Sequence, residues 1–204
     1  MKHEGGHIYS VFDELLPRQT KERFLKQRAV VVWLSGLSGA GKTTIARHLE
    51  SLLLEHGHLA KVLDGDNLRA GLNKGLGFDA EGRSENIRRM AEVAKLFSSC
   101  GIVCIACSIS PTEAIRQQTR QILQDETLLE IHINTSLEAC EQRDPKGLYA
   151  KARAGEIERF TGISDVYEAP ANPDFEVFTQ GSTIAESTQR VFRYLLPHIQ
   201  YADA

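Results

Sequence analysis

The sequence predicts an α/β domain built on a five-stranded parallel sheet. Three observations predict it. Five short apolar runs, at residues 29–34, 60–63, 102–106, 128–133 and 175–179, alternate with stretches of helical periodicity; such alternation gives parallel strands joined by right-handed crossovers. The first run leads directly into a glycine-rich turn, Gly36-Leu37-Ser38-Gly39-Ala40-Gly41-Lys42-Thr43, which matches G-x-x-x-x-G-K-[ST] without a gap. The 204 residues, 42% hydrophobic and 25% charged, suit one such core of ordinary globular composition.

Residues 29–34 (AVVVWL) read as a strand buried on both faces. The next helix begins inside the glycine-rich turn, covers about 42–56 and stops at Gly57. The second strand, 60–63, ends in Asp64-Gly65-Asp66. Residues 84–99 set Ile87, Met90, Ala91, Ala94 and Phe97 on one helical face, with Gly101 as the stop. After the third strand, Ser110-Pro111-Thr112-Glu113 combines an N-cap, Pro at the first helical position and Glu three residues on, so Ser110 is expected to cap a helix. After the fourth strand, residues 135–138 repeat the T-x-x-E capping pattern from Thr135. The fifth strand precedes a closing helix over 183–196.

Two segments stand outside this rhythm. Residues 1–28 are polar with scattered apolar positions and read as an N-terminal leader holding one short helix. Residues 144–173 are long and charged, with short helix-like pieces, as expected of a lid inserted into a domain spanning 29–204. No internal repeat is visible.

Composition excludes several classes. The balance of 24 Lys+Arg against 27 Asp+Glu, net −3, argues against a nucleic-acid surface but not against a local anion site. No apolar run approaches the ~20 residues that span a bilayer. Residues 1–10 lack the apolar segment of an export signal, so a cytoplasmic location with reduced thiols is expected for Cys100, Cys104, Cys107 and Cys140. Cys104 and Cys107 have C-x-x-C spacing, but three apart on a strand they face opposite ways, which disfavours a shared metal or disulfide.

The glycine-rich turn carries the chemistry. Glycines let backbone N–H groups surround phosphate oxygens, and the helix N-terminus adds positive potential. Gly36, Ser38, Gly39, Ala40, Gly41, Lys42, Thr43 and Thr44 are therefore expected to hold the phosphates of ATP, with Lys42 on the β/γ-phosphates and the Thr43 hydroxyl on Mg²⁺. A GTPase base reader is missing, since Asn73-Lys74-Gly75-Leu76 lacks the aspartate of N-K-x-D. A motor's strand-end aspartate is missing too, since the third strand runs into Cys107-Ser108. Asp64 and Asp66 lie at a strand end, where α/β sheets bind ligands, and suit Mg²⁺ or an acceptor hydroxyl; Asp-Gly-Asp-Asn equally suits a solvated turn. Arg69, Arg83, Arg88 and Arg89 crowd one stretch around Phe78. Arg143, Lys146, Lys151, Arg153 and Arg159 crowd another before Phe160. Together they fit an anionic, aromatic acceptor such as a nucleotide, or, taken singly, solvated helix faces.

Six strings carry a resemblance: GLSGAGKTT (36–44), DGDNLRAGLN (64–73), LGFDAEGRSENIRRMAEVAKLF (76–97), ISP (109–111), RDPKGLYAKARAGEIERFTG (143–162) and YEAP (167–170). In this order, over roughly 29–196, they resemble the adenylylsulfate kinases. The resemblance implies a P-loop NTPase three-layer fold. It implies transfer of the ATP γ-phosphoryl group to the 3′-hydroxyl of adenosine 5′-phosphosulfate in sulfate assimilation, with Mg²⁺ as cofactor and a homodimer as the usual state. A sulfurylase partner is compatible with it but carried by no residue. Lys42 and Asp64 become catalytic candidates, with Thr43 and Asp64 on the metal. Asp66, Arg69, Arg83 and Asn86 would bind the acceptor, Phe78 and Phe160 would sandwich its adenine, Ile109 and Ser110 would line the pocket, and Lys146 would belong to the lid. Ser110 matches the position of a proposed phosphoserine intermediate, whereas the local pattern assigns it to capping and in-line transfer needs no covalent step. One departure is Gly82, where the family usually has Asp before the arginine; its loss is expected to loosen the loop. Two alternatives compete: another small-molecule P-loop kinase, for nucleoside monophosphates or sugars, and a nucleotide-dependent regulatory subunit without transfer activity.

Overall fold

The computed structural model describes residue 9 and residues 11–202. After a single 3-10 turn at Phe12–Glu14, the elements run α1 (Arg18–Leu25), β1 (Val31–Ser35), α2 (Lys42–Glu55), β2 (Ala60–Asp64), α3 (Gly65–Ala70) and α4 (Ala80–Ser99). They continue through β3 (Val103–Cys107), α5 (Glu113–Ile122), β4 (Leu128–Asn134), α6 (Leu137–Arg143), α7 (Leu148–Arg153), β5 (Phe175–Phe178) and α8 (Ile184–Ile199). All pairings between strands are parallel, in the order β2-β3-β1-β4-β5. β1 is therefore central and buried at every residue, as its unbroken apolar run requires.

The period of two along β1 divides the core. Val30, Val32 and Leu34 join Ile45, Leu49, Val191 and Leu195 of α2 and α8 on one face. Val31 and Trp33 join Ile87, Met90 and Ala94 of α4 on the other. The result is a three-layer α/β fold. Cys107 falls in the first cluster and Cys104 in the second, so the C-x-x-C pair is split across the sheet, and all four cysteines are free. Burial pushes both thiols up to about 12.

Three helix starts differ from the sequence pattern. α4 begins at Ala80 because Asp79 caps it, accepting from the Gly82 N–H at 2.7 Å. α5 begins at Glu113, capped by Thr112 and not by Ser110. Ser110 has φ +46° and zero exposure, and its hydroxyl accepts from the Trp33 indole N–H at 2.9 Å. α6 is capped by Ser136, not Thr135, whose hydroxyl donates to the Ala40 carbonyl at 3.2 Å. In both cases a tertiary partner claims the expected capping hydroxyl. α8 starts as expected, with the Thr183–Glu186 capping box complete.

Gln27, fully buried, fastens the segment before β1 to the domain. Its Nε2 donates to the carbonyls of Leu59 (2.9 Å) and Gly101 (2.8 Å), and its Oε1 accepts from the Leu59 N–H (2.7 Å). It thus spans the entries to β2 and β3. Gln27→Ala leaves the Leu59 N–H and the Gly101 carbonyl unpaired, while the Leu59 carbonyl keeps the Val103 N–H, and we expect a loss of about 2–3 kcal/mol in urea unfolding at unchanged m-value. A loss under about 1 kcal/mol would show that water replaces the amide at little cost.

Candidate active site

The site is assembled at the C-terminal ends of β1, β2 and β3. Between β1 and α2 the chain turns back within contact of β4: a Cβ at Gly36 (φ +144°) would lie 2.5 Å from the Ile133 carbonyl oxygen. Gly41 has φ +106° and open space where its Cβ would stand. The loop is thus held down at one end by the sheet and presents bare backbone at the start of α2, the arrangement that cradles phosphate.

Lys42 closes the loop on itself, its Nζ donating to the carbonyls of Gly36 (2.8 Å) and Leu37 (2.7 Å). Burial draws its pKa down to about 8, against the opposing pull of nearby acidic groups that include Asp64 and Asp66. Its two acceptors are uncharged, so the cation remains available to an anion.

Asp64 joins the two halves of the site. Its Oδ2 accepts from the Thr43 hydroxyl at 2.7 Å, while its Oδ1 caps α3, accepting from the N–H groups of Asp66 (3.0 Å) and Asn67 (3.3 Å). The strand-end carboxylate is 8% exposed, so it does not sit in a solvated turn. A hydroxyl and a carboxylate side by side form the oxygen donor set that suits Mg²⁺, which takes one or two protein ligands and completes its shell with phosphate and water. Among the described residues no cluster of three or more His, Cys, Asp or Glu could hold a metal.

The second half is held by arginines on backbone carbonyls. Arg69 donates to the carbonyls of Leu76 and Gly77, both at 3.0 Å, and lies 4.3 Å over the Phe78 ring, which is 64% exposed. Arg83 reaches the Phe78 carbonyl (2.8 Å), the Arg159 carbonyl (2.8 Å), the Thr161 hydroxyl (2.7 Å) and the Asp165 carboxylate (3.0 Å). It therefore links the loop before α4 to the segment after α7. Lys146 forms an ion pair with Asp66, and the Tyr149 hydroxyl donates to the Ser38 carbonyl at 2.9 Å, so the 144–165 stretch touches the phosphate loop and the end of β2.

Several expectations are revised. Phe160 is 9% exposed and packs edge-on against Tyr149 at 4.9 Å, so little of its ring is open to a stacked base in this conformation. Ile109, half-buried, offers its carbonyl to the Gly36 N–H at 3.4 Å. Ser110 presents no exposed surface, which contradicts a hydroxyl lining the pocket or taking part in transfer. Arg88 and Arg89 are paired with Glu85, and Arg153 with Glu141, as solvated helix faces. The Gly82 position does not loosen its loop: a Cβ there would lie 2.4 Å from the Gly77 carbonyl oxygen, so glycine lets the loop sit down on α4.

Sequence reasoning missed three residues. Arg116, 2% exposed, donates to the carbonyls of Ser110 (3.0 Å) and Glu168 (2.7 Å), fixing the turn after β3 to the end of the insertion. Thr179 receives Arg143 at 3.0 Å behind the phosphate loop. Asn73 is buried against Asn86. Each acts through a contact distant in sequence, for which no local pattern exists.

Residues 28–178 match the family model described as adenylylsulphate kinase. An adenylyl-sulfate kinase of Bacteroides fragilis is 50% identical over 196 residues, covering 96% of this chain and 97% of its own. Adenylyl-sulfate kinase 3 of Arabidopsis thaliana is 53% identical over 174 residues, 84% of each chain. Among solved structures, the Mycobacterium tuberculosis APS kinase CysC in complex with AMPPNP and APS superposes with a TM-score of 0.80. It is 47% identical, with 83% of this chain and 98% of that one covered.

The Arg83 contacts generate a prediction that concerns structure alone. Arg83→Ala should raise amide hydrogen exchange at residues 76–79 and 159–165 by about tenfold or more, leaving the β1 and β4 amides protected. Unchanged exchange in either segment would show that the link holds neither.

Proposed function

Because this chain belongs to the adenylylsulphate kinase family, we propose that it transfers the γ-phosphoryl group of ATP to the 3′-hydroxyl of adenosine 5′-phosphosulfate. The products are ADP and 3′-phosphoadenosine 5′-phosphosulfate. The observation that carries the reading is the Thr43–Asp64 contact, which joins the phosphate loop to a second, arginine-lined half suited to an anionic acceptor.

In this reading residues 36–44 bind the triphosphate through backbone N–H groups, and Lys42 offsets charge on the transferring group. Thr43 and Asp64 would hold Mg²⁺, which supplies charge neutralisation at the phosphates. Arg69, Arg83 and Asn86 hold the phosphosulfate and ribose, and Phe78, backed by Arg69, gives the adenine a ring to stack on. Stacking on Phe160 as well requires the 159–165 segment to shift. Asp64 orients the acceptor hydroxyl and takes its proton as the oxygen attacks phosphorus and the bond to ADP breaks. Residues 144–173 act as the lid, and Lys146 on Asp66, Tyr149 on Ser38 and Thr161 on Arg83 are the contacts through which closure excludes water. Residues 29–204 form the kinase unit.

The proposal includes a homodimer, supported by Tyr9, Leu15, Leu16 and Phe24, each more than half exposed before β1. It also includes a cytoplasmic location, supported by four free cysteines. No described helix is long and apolar enough to cross a membrane.

The deciding experiment is a product assay with ATP, Mg²⁺ and either adenosine 5′-phosphosulfate or AMP. Turnover of the phosphosulfate in preference to AMP supports the reading; nucleotide binding without product refutes it. Asp64→Asn keeps a good cap for α3 but removes the charge. We expect kcat to fall about 100-fold or more while the KM for ATP moves less than about threefold. Near-normal turnover would remove Asp64 from the chemistry. Ser110→Ala should retain kcat within about tenfold and form no acid-stable, base-labile phosphoprotein, at a stability cost of about 1–2 kcal/mol for the unpaired Trp33 indole. Trapping of such a phosphoenzyme in the wild type would restore the covalent role.

A further inference from the structure

Asn73 is an anomaly in its surroundings. Residues 71–78, between α3 and the residues that cap α4, are exposed apart from half-buried Leu76 and Asn73, which is fully buried. Its Nδ2 lies 3.0 Å from Asn86 Oδ1 and 3.4 Å from the Asn86 backbone carbonyl oxygen. A backbone carbonyl only accepts, so the Asn73 atom facing it must be the N–H donor. The Asn86 side-chain atom meeting the same donor must then be its oxygen. This fixes the direction of the Asn86 amide: its Nδ2 is turned away from Asn73 and is neither bonded to the protein nor among the buried unpartnered atoms. Asn86 follows Arg83 by three residues on α4, so the two share a helix face. The Asn73 Oδ1 is buried without a partner.

We propose that Asn73 is a positioning residue for the acceptor. It holds the Asn86 amide so that N–H donors face the anionic substrate, and it seats the loop that ends at Phe78. The proposal rests on the adenylylsulfate kinase reading above.

Steady-state kinetics of Asn73→Ala and Asn73→Asp test it, with each substrate varied at saturating concentration of the other. The KM for adenosine 5′-phosphosulfate should rise about tenfold in Asn73→Ala, while kcat and the KM for ATP stay within about twofold. Asn73→Asp should be worse, because a carboxylate only accepts and forces Asn86 to turn its amide inward and its oxygen outward. It is also nearly isosteric, so it carries the test if the alanine variant does not fold. Adding Asn73→Ala to Asn86→Ala should raise the acceptor KM by less than Asn73→Ala does alone, since part of its effect runs through the Asn86 amide. An unchanged acceptor KM, a parallel loss for both substrates, or additive losses in the double variant would overturn the proposal. A wild type that does not phosphorylate adenosine 5′-phosphosulfate overturns the functional reading and this proposal with it. An active wild type with unaltered Asn73 variants overturns this proposal alone.

Discussion

The site depends on how Asp64 divides its two carboxylate oxygens. One accepts from the Thr43 hydroxyl at the start of α2, and the other holds the first amides of α3. β2 and β1 are not neighbours in the sheet, since β3 lies between them. The carboxylate therefore reaches across the crest of β3 to join two elements that the sheet itself keeps apart. α3 carries Arg69 and leads on to Asn73 and Phe78, so this one carboxylate ties the start of the arginine-lined half to the phosphate loop. A small side chain would not make the join, and a lysine would place like charge beside Lys42.

The cations sort by what they donate to. Arg88, Arg89, Arg120 and Arg153 meet carboxylates, and their charges are locally cancelled. Lys42, Arg69 and Arg143 donate instead to carbonyls or a hydroxyl. Carbonyl acceptors fix the geometry of a cation without neutralising it, so these three charges stay open to an anion although the chain's net charge is −3. Arg83 is intermediate, with two carbonyls, a hydroxyl and the Asp165 carboxylate.

The five strands, the phosphate loop and α8 were legible in the sequence because each follows from a local rule: period, glycine spacing or a capping box. Ser110 and Thr135 were misread for a common reason. A capping hydroxyl is defined by the backbone a few residues ahead, yet each of these found a stronger claim elsewhere, Ser110 from Trp33 and Thr135 from Ala40. A residue one or two positions on took over the cap. Phe160 was assigned from its chemistry, but its burial depends on Tyr149, which a linear pattern does not pair with it. Arg116 sits on a helix whose polar residues read as a surface, and only the fold brings the Ser110 and Glu168 carbonyls to it.

Gly82 decides which wall of the acceptor half is rigid. A missing carboxylate before Arg83 suggested a looser loop, but the Gly77 carbonyl occupies the space a Cβ would need, and Asp79 caps α4 from within the same turn. Arg69 holds the Leu76 and Gly77 carbonyls from α3, and Asn73 anchors the same loop to Asn86. The stretch from 71 to 79 is thus fixed at three points to α3 and α4. The opposing wall, 144–165, reaches the site through Lys146 and Thr161, while Tyr149, Ala152 and Phe160 seat its middle in the hydrophobic core. Of these contacts only the Lys146–Asp66 pair is largely open to solvent, whereas the 71–79 loop is anchored through the buried amide of Asn73. The 71–79 side of the site is therefore a wall fixed to two helices, which glycine at 82 allows to pack flat.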